Sequence, residues 1–224
     1  MLVGEDIIDI YSGDNLIVKA YQGNNVIYEK SQPEPAYTQV LYLGSSGYQY
    51  INTGYTPTIN TKIEITFQYY ANTRYKWTRV FGFRDSNGQG FYLSTYNNSK
   101  SGNFWFTFGE QYLESGINYP ADMNVHTFIM DKNSVSLDGT TYANYTATTM
   151  PTFMPLYLFG GFDGSTTFTK GNCYIYECKL YENGNLAMHL IPVLDDNDMP
   201  CMYDKVSRSF IYNSGTERFL YENL

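Results

Sequence analysis

The residues able to do chemistry in this chain are few and poorly placed for it. Retaining glycosidases need two carboxylates about 5 Å apart, facing one cleft. Glu177 and Glu182 are five residues apart in "NCYIYECKLYE", which puts them on opposite faces of a regular strand. Asp195, Asp196 and Asp198 crowd one loop before Pro200. Such a loop could offer oxygens to Ca²⁺, but a hard cation wants several more than one loop supplies, so a solvated acidic turn is expected. His126 and His189 stand in separate strand-like runs with no Ser or Cys nucleophile beside them. Cys173 and Cys178, also five apart, should point to opposite faces of their strand. With Cys201 they read as buried free thiols, and they have neither the number nor the spacing for a zinc site. No catalytic residue, metal or cofactor is expected.

Saccharide binding needs different parts: aromatic rings to lie against sugar C–H faces, with amide or guanidinium donors nearby. Two stretches supply them. "RYKWTR" (74–79) carries Tyr75, Trp77 and Arg79, and "TYNNSKSGNFWF" (95–106) carries Tyr96, Asn97 and Trp105. Trp77, between Lys76 and Thr78, is the expected exposed ring. Trp105 lies within Phe104-Trp105-Phe106, so at least one neighbour faces inward, and alternation alone leaves its own face open.

These residues must be positioned by strands. The chain has 224 residues with 24 Tyr and 14 Phe, and only 16% are charged. Runs such as "KIEITFQYY" (62–70), "FYLSTY" (91–96), "NFWFTF" (103–108) and "PLYLFGG" (155–161) are separated by turn signals. No segment longer than a turn carries a helical apolar stripe. Many short strands divided by turns imply an all-β sandwich or barrel. The formal charge of −8 repels phosphate backbones and anionic lipid, so no nucleic-acid or membrane partner is expected.

The chain opens on an internal repeat. "IYSGDNLI" (10–17) and "AYQGNNVI" (20–27) align at a spacing of ten. Each reads as strand, Gly-Asx turn, strand. Lone hairpins are marginal in water, so residues 1–30 are expected to dock on a partner. Residues 31–39, with two prolines, read as a semi-rigid linker, and 40–224 as the main domain. "MLVGEDIIDI" lacks the basic start of a secretory signal, and no run reaches membrane-spanning length.

"YLGSSGYQYINTGYTPTINTKIEITFQ" (42–68) resembles the opening of a family of concanavalin-like, laminin-G-like jelly-roll domains. "CYIYECKLYENGNLAMHLIPVLDDNDMPCMYDKVSRSFIYNSGTERF" (173–219) resembles its closing run. "VFGFR" (80–84), "VSLDGTTY" (135–142) and "LYLFGGFDGS" (156–165) stand where the family has its central strands. Val193 replaces a frequent Cys, and an Asp-rich loop, 194–198, replaces a more neutral turn. Such domains occur in surface proteins of gut bacteria and in structural proteins of their bacteriophages. The N-terminal repeat is similar to openings of phage tail and head-fibre proteins. The resemblance implies a jelly-roll sandwich carried on a virion, attached to other virion proteins through the N-terminal repeat, homo-oligomeric, and displayed toward host surface glycan. A bacterial carbohydrate-binding surface protein and a glycan hydrolase are the alternatives. The Glu-x-Asp-x-x-Glu strand of laminarinase-like enzymes of this fold has no counterpart here.

Overall fold

A computed structural model of the chain describes residues 10–12, 15–17, 19–22, 25–29, 35–70, 78–95, 103–118, 124–151, 154–164 and 167–224. The chain divides into two compact units, Met1–Pro35 and Ala36–Leu224. In the first, β1 (Ile10–Ser12) pairs with β2 (Asn15–Ile17), and β3 (Lys19–Gln22) with β4 (Asn25–Glu29). The Ser12↔Asn15 and Gln22↔Asn25 pairs close both antiparallel hairpins at equivalent points of the repeat.

The second unit is an all-β sandwich, without helix among the described residues. Its strands run β5 (Thr38–Ser46), β6 (Ile51–Asn52), β7 (Thr61–Tyr69), β8 (Thr78–Arg84), β9 (Gly90–Thr95), β10 (Asn103–Gly109) and β11 (Gln111–Asn118). They continue through β12 (His126–Met130), β13 (Ser134–Leu137), β14 (Thr140–Asn144), β15 (Tyr157–Leu158), β16 (Gly160–Asp163) and β17 (Thr167–Lys170). The last are β18 (Asn172–Glu182), β19 (Asn185–Leu194), β20 (Pro200–Asp204), β21 (Ser209–Ile211) and β22 (Leu220–Asn223). One sheet is ordered β14-β13-β12-β7-β18-β5-β19-β20-β21, with β22 on β5. The other is ordered β11-β10-β9-β8-β15-β6, with β16 joining β8 and β17 joining β16.

Alternation builds the core. In β7, Thr61, Ile63, Ile65, Phe67 and Tyr69 are buried while Lys62, Glu64, Thr66 and Gln68 are half-exposed. The opposing sheet contributes Phe81, Phe83, Phe91, Leu93, Phe104, Phe106 and Phe108. Rings meet across the interface, with centroids 6.4 Å apart for Phe67–Phe104 and 6.2 Å for Phe106–Phe128. Such edge-to-face and tilted pairs add to the area they bury. Gly82 has a positive φ of 119°, and a Cβ there would run into the Phe91 carbonyl oxygen, so only glycine lets β8 and β9 approach this closely.

Strand β18 departs from regularity. Its pairing with β7 shifts register between Ile175 and Glu177, a β-bulge that turns one extra residue outward. Cys173 and Cys178 therefore both lie in the core, fully buried and free, not on opposite faces as strict alternation predicts. Five residues of strand keep them roughly 16 Å apart, so they still do not pair. Burial pushes both thiols well above their ordinary range and pushes Cys201 up to about 12. The native protein at pH 8 should therefore react with an aromatic disulfide reagent only as fast as it opens. The three thiols should react together once denaturant is added, followed by absorbance of the released thiolate.

Candidate functional site

Of the residues singled out for saccharide contact, Tyr75, Trp77, Tyr96 and Asn97 lie outside the described residues. Arg79 and Trp105 are described, and the fold brings them together. Arg79 pairs with Ser94 and Ser94 with Trp105, so all three form one cross-strand row on the outer face of the eight-stranded sheet. Phe104 and Phe106 point into the core while Trp105 is half-buried on the other side.

Arg79 is not presented to solvent: it is 1% exposed. Its Nη2 donates to Asp163 Oδ1 at 2.7 Å and its Nη1 to the Phe162 carbonyl at 3.2 Å. Its guanidinium lies 4.6 Å from the centroid of the Tyr92 ring. Thr169 donates to Asp163 Oδ2 at 2.5 Å, and Arg84 Nε stands 3.1 Å from Oδ1. Gly161 leaves the path open, because a Cβ there would sit 2.7 Å from Arg79 Cδ. Burial pulls the Arg79 guanidinium below its ordinary value despite the carboxylate beside it. Burial works to raise the Asp163 carboxyl, but Arg79, Thr169 and Arg84 outweigh it and hold the group below the ordinary range. This pair clamps β8 to β16.

The outer face of the ten-stranded sheet is built differently. The outward phase of β7 (Lys62, Glu64, Thr66, Gln68) lies beside that of β18, and Tyr70 extends the row. Because of the bulge, β18 turns Tyr174, Tyr176, Glu177, Lys179 and Tyr181 to this face, all half-exposed. Tyr70 stacks on Tyr174, with centroids 4.9 Å apart and planes at 25°. Tyr42 of β5 lies 4.4 Å from Tyr174 and 5.6 Å from Tyr176. Gly44 makes room, since a Cβ there would fall 2.7 Å from the Tyr174 ring. Tyr176 donates to Gln68 Oε1 at 2.6 Å, and Tyr181 to Glu64 Oε2 at 3.3 Å. From Tyr174 to Tyr181 the row runs roughly 23 Å along one strand.

Its carboxylates are all engaged. Glu177 bonds His189 Nε2 at 2.7 Å and Lys179 Nζ at 2.9 Å. Burial works to raise the Glu177 carboxyl, but the bonds from Lys179 and His189 prevail and it stays below its ordinary value. Glu64 pairs with Lys62 at 2.7 Å, and Tyr42, itself raised first by burial, bonds to Glu222. Together these groups make a rigid, amphipathic stripe of rings with fixed donors and acceptors at its margins, able to take a polar ligand that also presents C–H faces.

The remaining chemical residues have structural roles. Glu182 accepts hydroxyl hydrogen bonds from Tyr55 (2.9 Å), Thr58 (2.6 Å) and Thr61 (2.8 Å), on the face opposite Glu177. His126 Nδ1 bonds Asp138 Oδ2 at 2.7 Å. Asp195 is 6% exposed rather than solvated; its carboxylate caps the Asn197 and Met199 amides and accepts from Tyr212. Among the described residues no cluster of His, Cys, Asp and Glu is arranged to hold a metal ion. No protein-family model matches the chain, and no curated protein sequence does.

Sequence alternation alone does not reveal the tyrosine stripe. Its signal lay in the second phase of "KIEITFQYY", the phase that does not build the core, but the bulge hid the contribution of β18. The Arg79 clamp yields a stability test. Arg79→Ala should cost about 3–5 kcal/mol in urea unfolding at pH 7, because it strips a buried pair of one partner. Asp163 is depressed in the folded state, so its contribution is full above the ordinary Asp pKa, near 4, and is lost as pH falls further. Asp163→Asn should accordingly lower stability at pH 7 and flatten its loss between pH 5 and pH 2.

Proposed function

We propose that this chain is a bacteriophage virion protein whose β-sandwich adheres to host surface glycan without hydrolysing it, and whose N-terminal hairpins attach it to other virion proteins. The observation that carries the reading is the tyrosine stripe on β18 and its neighbours. The rings of Tyr42, Tyr70, Tyr174 and Tyr176, packed against one another, lose little freedom on binding, the advantage tyrosine gives to recognition surfaces. The separate compact unit of two hairpins supports the attachment role, since such hairpins gain stability by pairing with a partner. The jelly-roll resemblance points to the same class. A binding role also suits the carboxylates. A glycosidase acid needs a raised pKa, whereas Glu177 and Glu182 are both held below the ordinary value.

The test is adhesion. Purified protein should bind polysaccharide extracted from the host envelope and release no reducing ends from it. A Tyr174→Ala/Tyr176→Ala variant should keep its β-sheet circular dichroism and a cooperative melt. It should lose about 1–3 kcal/mol of binding, the scale of removing aromatic interface anchors. Unchanged adhesion in that variant, or reducing ends whose release stops in Glu177→Gln, would overturn the reading.

A further inference from the structure

At one end of the stripe, three turns enclose a pocket of about 440 Å³ lined by residues 60–62, 131–133, Tyr181, Asn183 and Gly184. Each wall is fixed. Asn183 and Gly184 have φ of 52° and 80°, the two positive values a tight Asn-Gly hairpin turn requires. The Asn183 amide donates to the Asn60 carbonyl at 3.3 Å, tying the β18–β19 turn to the entry of β7. The β12–β13 turn is braced by Tyr145, whose hydroxyl donates to the Asp131 carbonyl at 2.5 Å, and by the Ala147 amide on the Lys132 carbonyl at 2.9 Å.

The lining has a distinct chemistry in a chain of net charge −8. Lys62 and Lys132 both border it. Lys132 Nζ reaches the Asn60 amide oxygen at 3.3 Å, and Lys62 Nζ sits 4.4 Å from the Tyr181 ring centroid and 2.7 Å from Glu64. The acid in the lining, Asp131, uses Oδ1 to accept from the Asn133 and Ser134 amides. Asn60, Asn133 and Asn183 bring amide side chains that match vicinal hydroxyls in both donor and acceptor. We propose that this pocket binds a carboxylate-bearing sugar residue, with the carboxylate at Lys132 and Lys62, the hydroxyls at the three asparagines and the ring against Tyr181. The inference rests on the glycan-adhesion reading and places the acidic unit of the saccharide at the Tyr181 end of the stripe.

The full-length chain should be titrated with trigalacturonic acid and with 3′-sialyllactose, which separate uronate from sialate recognition, each beside its methyl ester. Calorimetry would be read together with the ¹H–¹⁵N signals of Asn60, Lys132, Asn133 and Asn183. At least one acid should bind saturably, shift those signals, and weaken as salt is raised. Its ester, and the acid on Lys132→Met, should each bind about tenfold less tightly, as expected for a lost charge-assisted contact. Lys62→Met should weaken binding in the same direction. Equal binding of acid and ester, or signals that stay still with both acids, would overturn the pocket assignment. Host polysaccharide bound equally by wild type and by Lys132→Met would also overturn it, while leaving the stripe reading intact. Absence of host-polysaccharide binding by the wild type would instead refute the reading beneath it.

Discussion

Strand β18 runs through the middle of the ten-stranded sheet and sets the register of its neighbours. It pairs along almost its whole length with β7 and, on its other edge, first with β5 and then with β19. Two strands from early in the chain, β5 and β7, and the hairpin partner that follows, β19, are thereby held in register by one backbone. The bulge after Ile175 decides what each face receives. Before it, Cys173 and Ile175 point inward; after it, Cys178 and Leu180 do. Tyr176 and Glu177, the two residues at the irregularity, are both left outside. A regular strand would carry every residue beyond this point to the other face, burying Glu177 and Lys179 and exposing Leu180.

The two outer faces of the sandwich serve different ends. On the eight-stranded sheet, Arg79, Tyr92, Ser94 and Thr107 are almost fully buried, and the Arg79–Asp163 pair joins β8 to β16 there. Taking the carboxylate away would leave the sealed guanidinium an uncompensated buried charge, so the pair suits holding strands and not meeting ligands. On the ten-stranded sheet the outward groups of β7 and β18 stay half-exposed, while those of β19 and β20 (Ile191, Val193, Cys201 and Tyr203) are buried as a second cluster. The hydrogen bonds of the β7–β18 groups run laterally between side chains. Lateral bonds leave the outward rims of the rings available, and the stripe gains rigidity without being covered. The pocket formed by the turns at residues 131–133 and 183–184 continues this surface, so an extended ligand could engage rings along the strand and charge at its end.

Much of the architecture was legible in the sequence. Clean alternation in residues 62–70 assigned the inward residues of β7, and the Asp138-Gly139 signal marked a tight turn whose two residues have φ of 49° and 78°. The Phe-Trp-Phe run left the face of Trp105 open, and pairing through Thr95, Ser94 and Leu93 settles it. The site was less legible. Arg79 reads as a donor beside aromatic residues, but its partner, Asp163, lies 84 residues away and no local pattern announces it. The bulge was equally silent: alternation places Cys173 and Cys178 on opposite faces, and only the pairing of β18 with β7 shows them on one. The acidic loop reads as solvated in sequence, and residues 196–198 are exposed; Asp195 is the exception, and its hydrogen bond from Tyr212 comes from beyond the following hairpin.

We place the proposed saccharide contact on the ten-stranded sheet, along β18. Hydroxyl-radical footprinting of the whole chain, with and without host-envelope polysaccharide and read residue by residue by mass spectrometry, addresses it directly. Tyr42, Tyr70, Tyr174, Tyr176 and Tyr181 should lose reactivity together when polysaccharide is bound, while Trp105 keeps its own. Protection confined to Trp105 and its neighbours, with the five tyrosines unchanged, would move the binding face to the opposite sheet and rule out the tyrosine stripe.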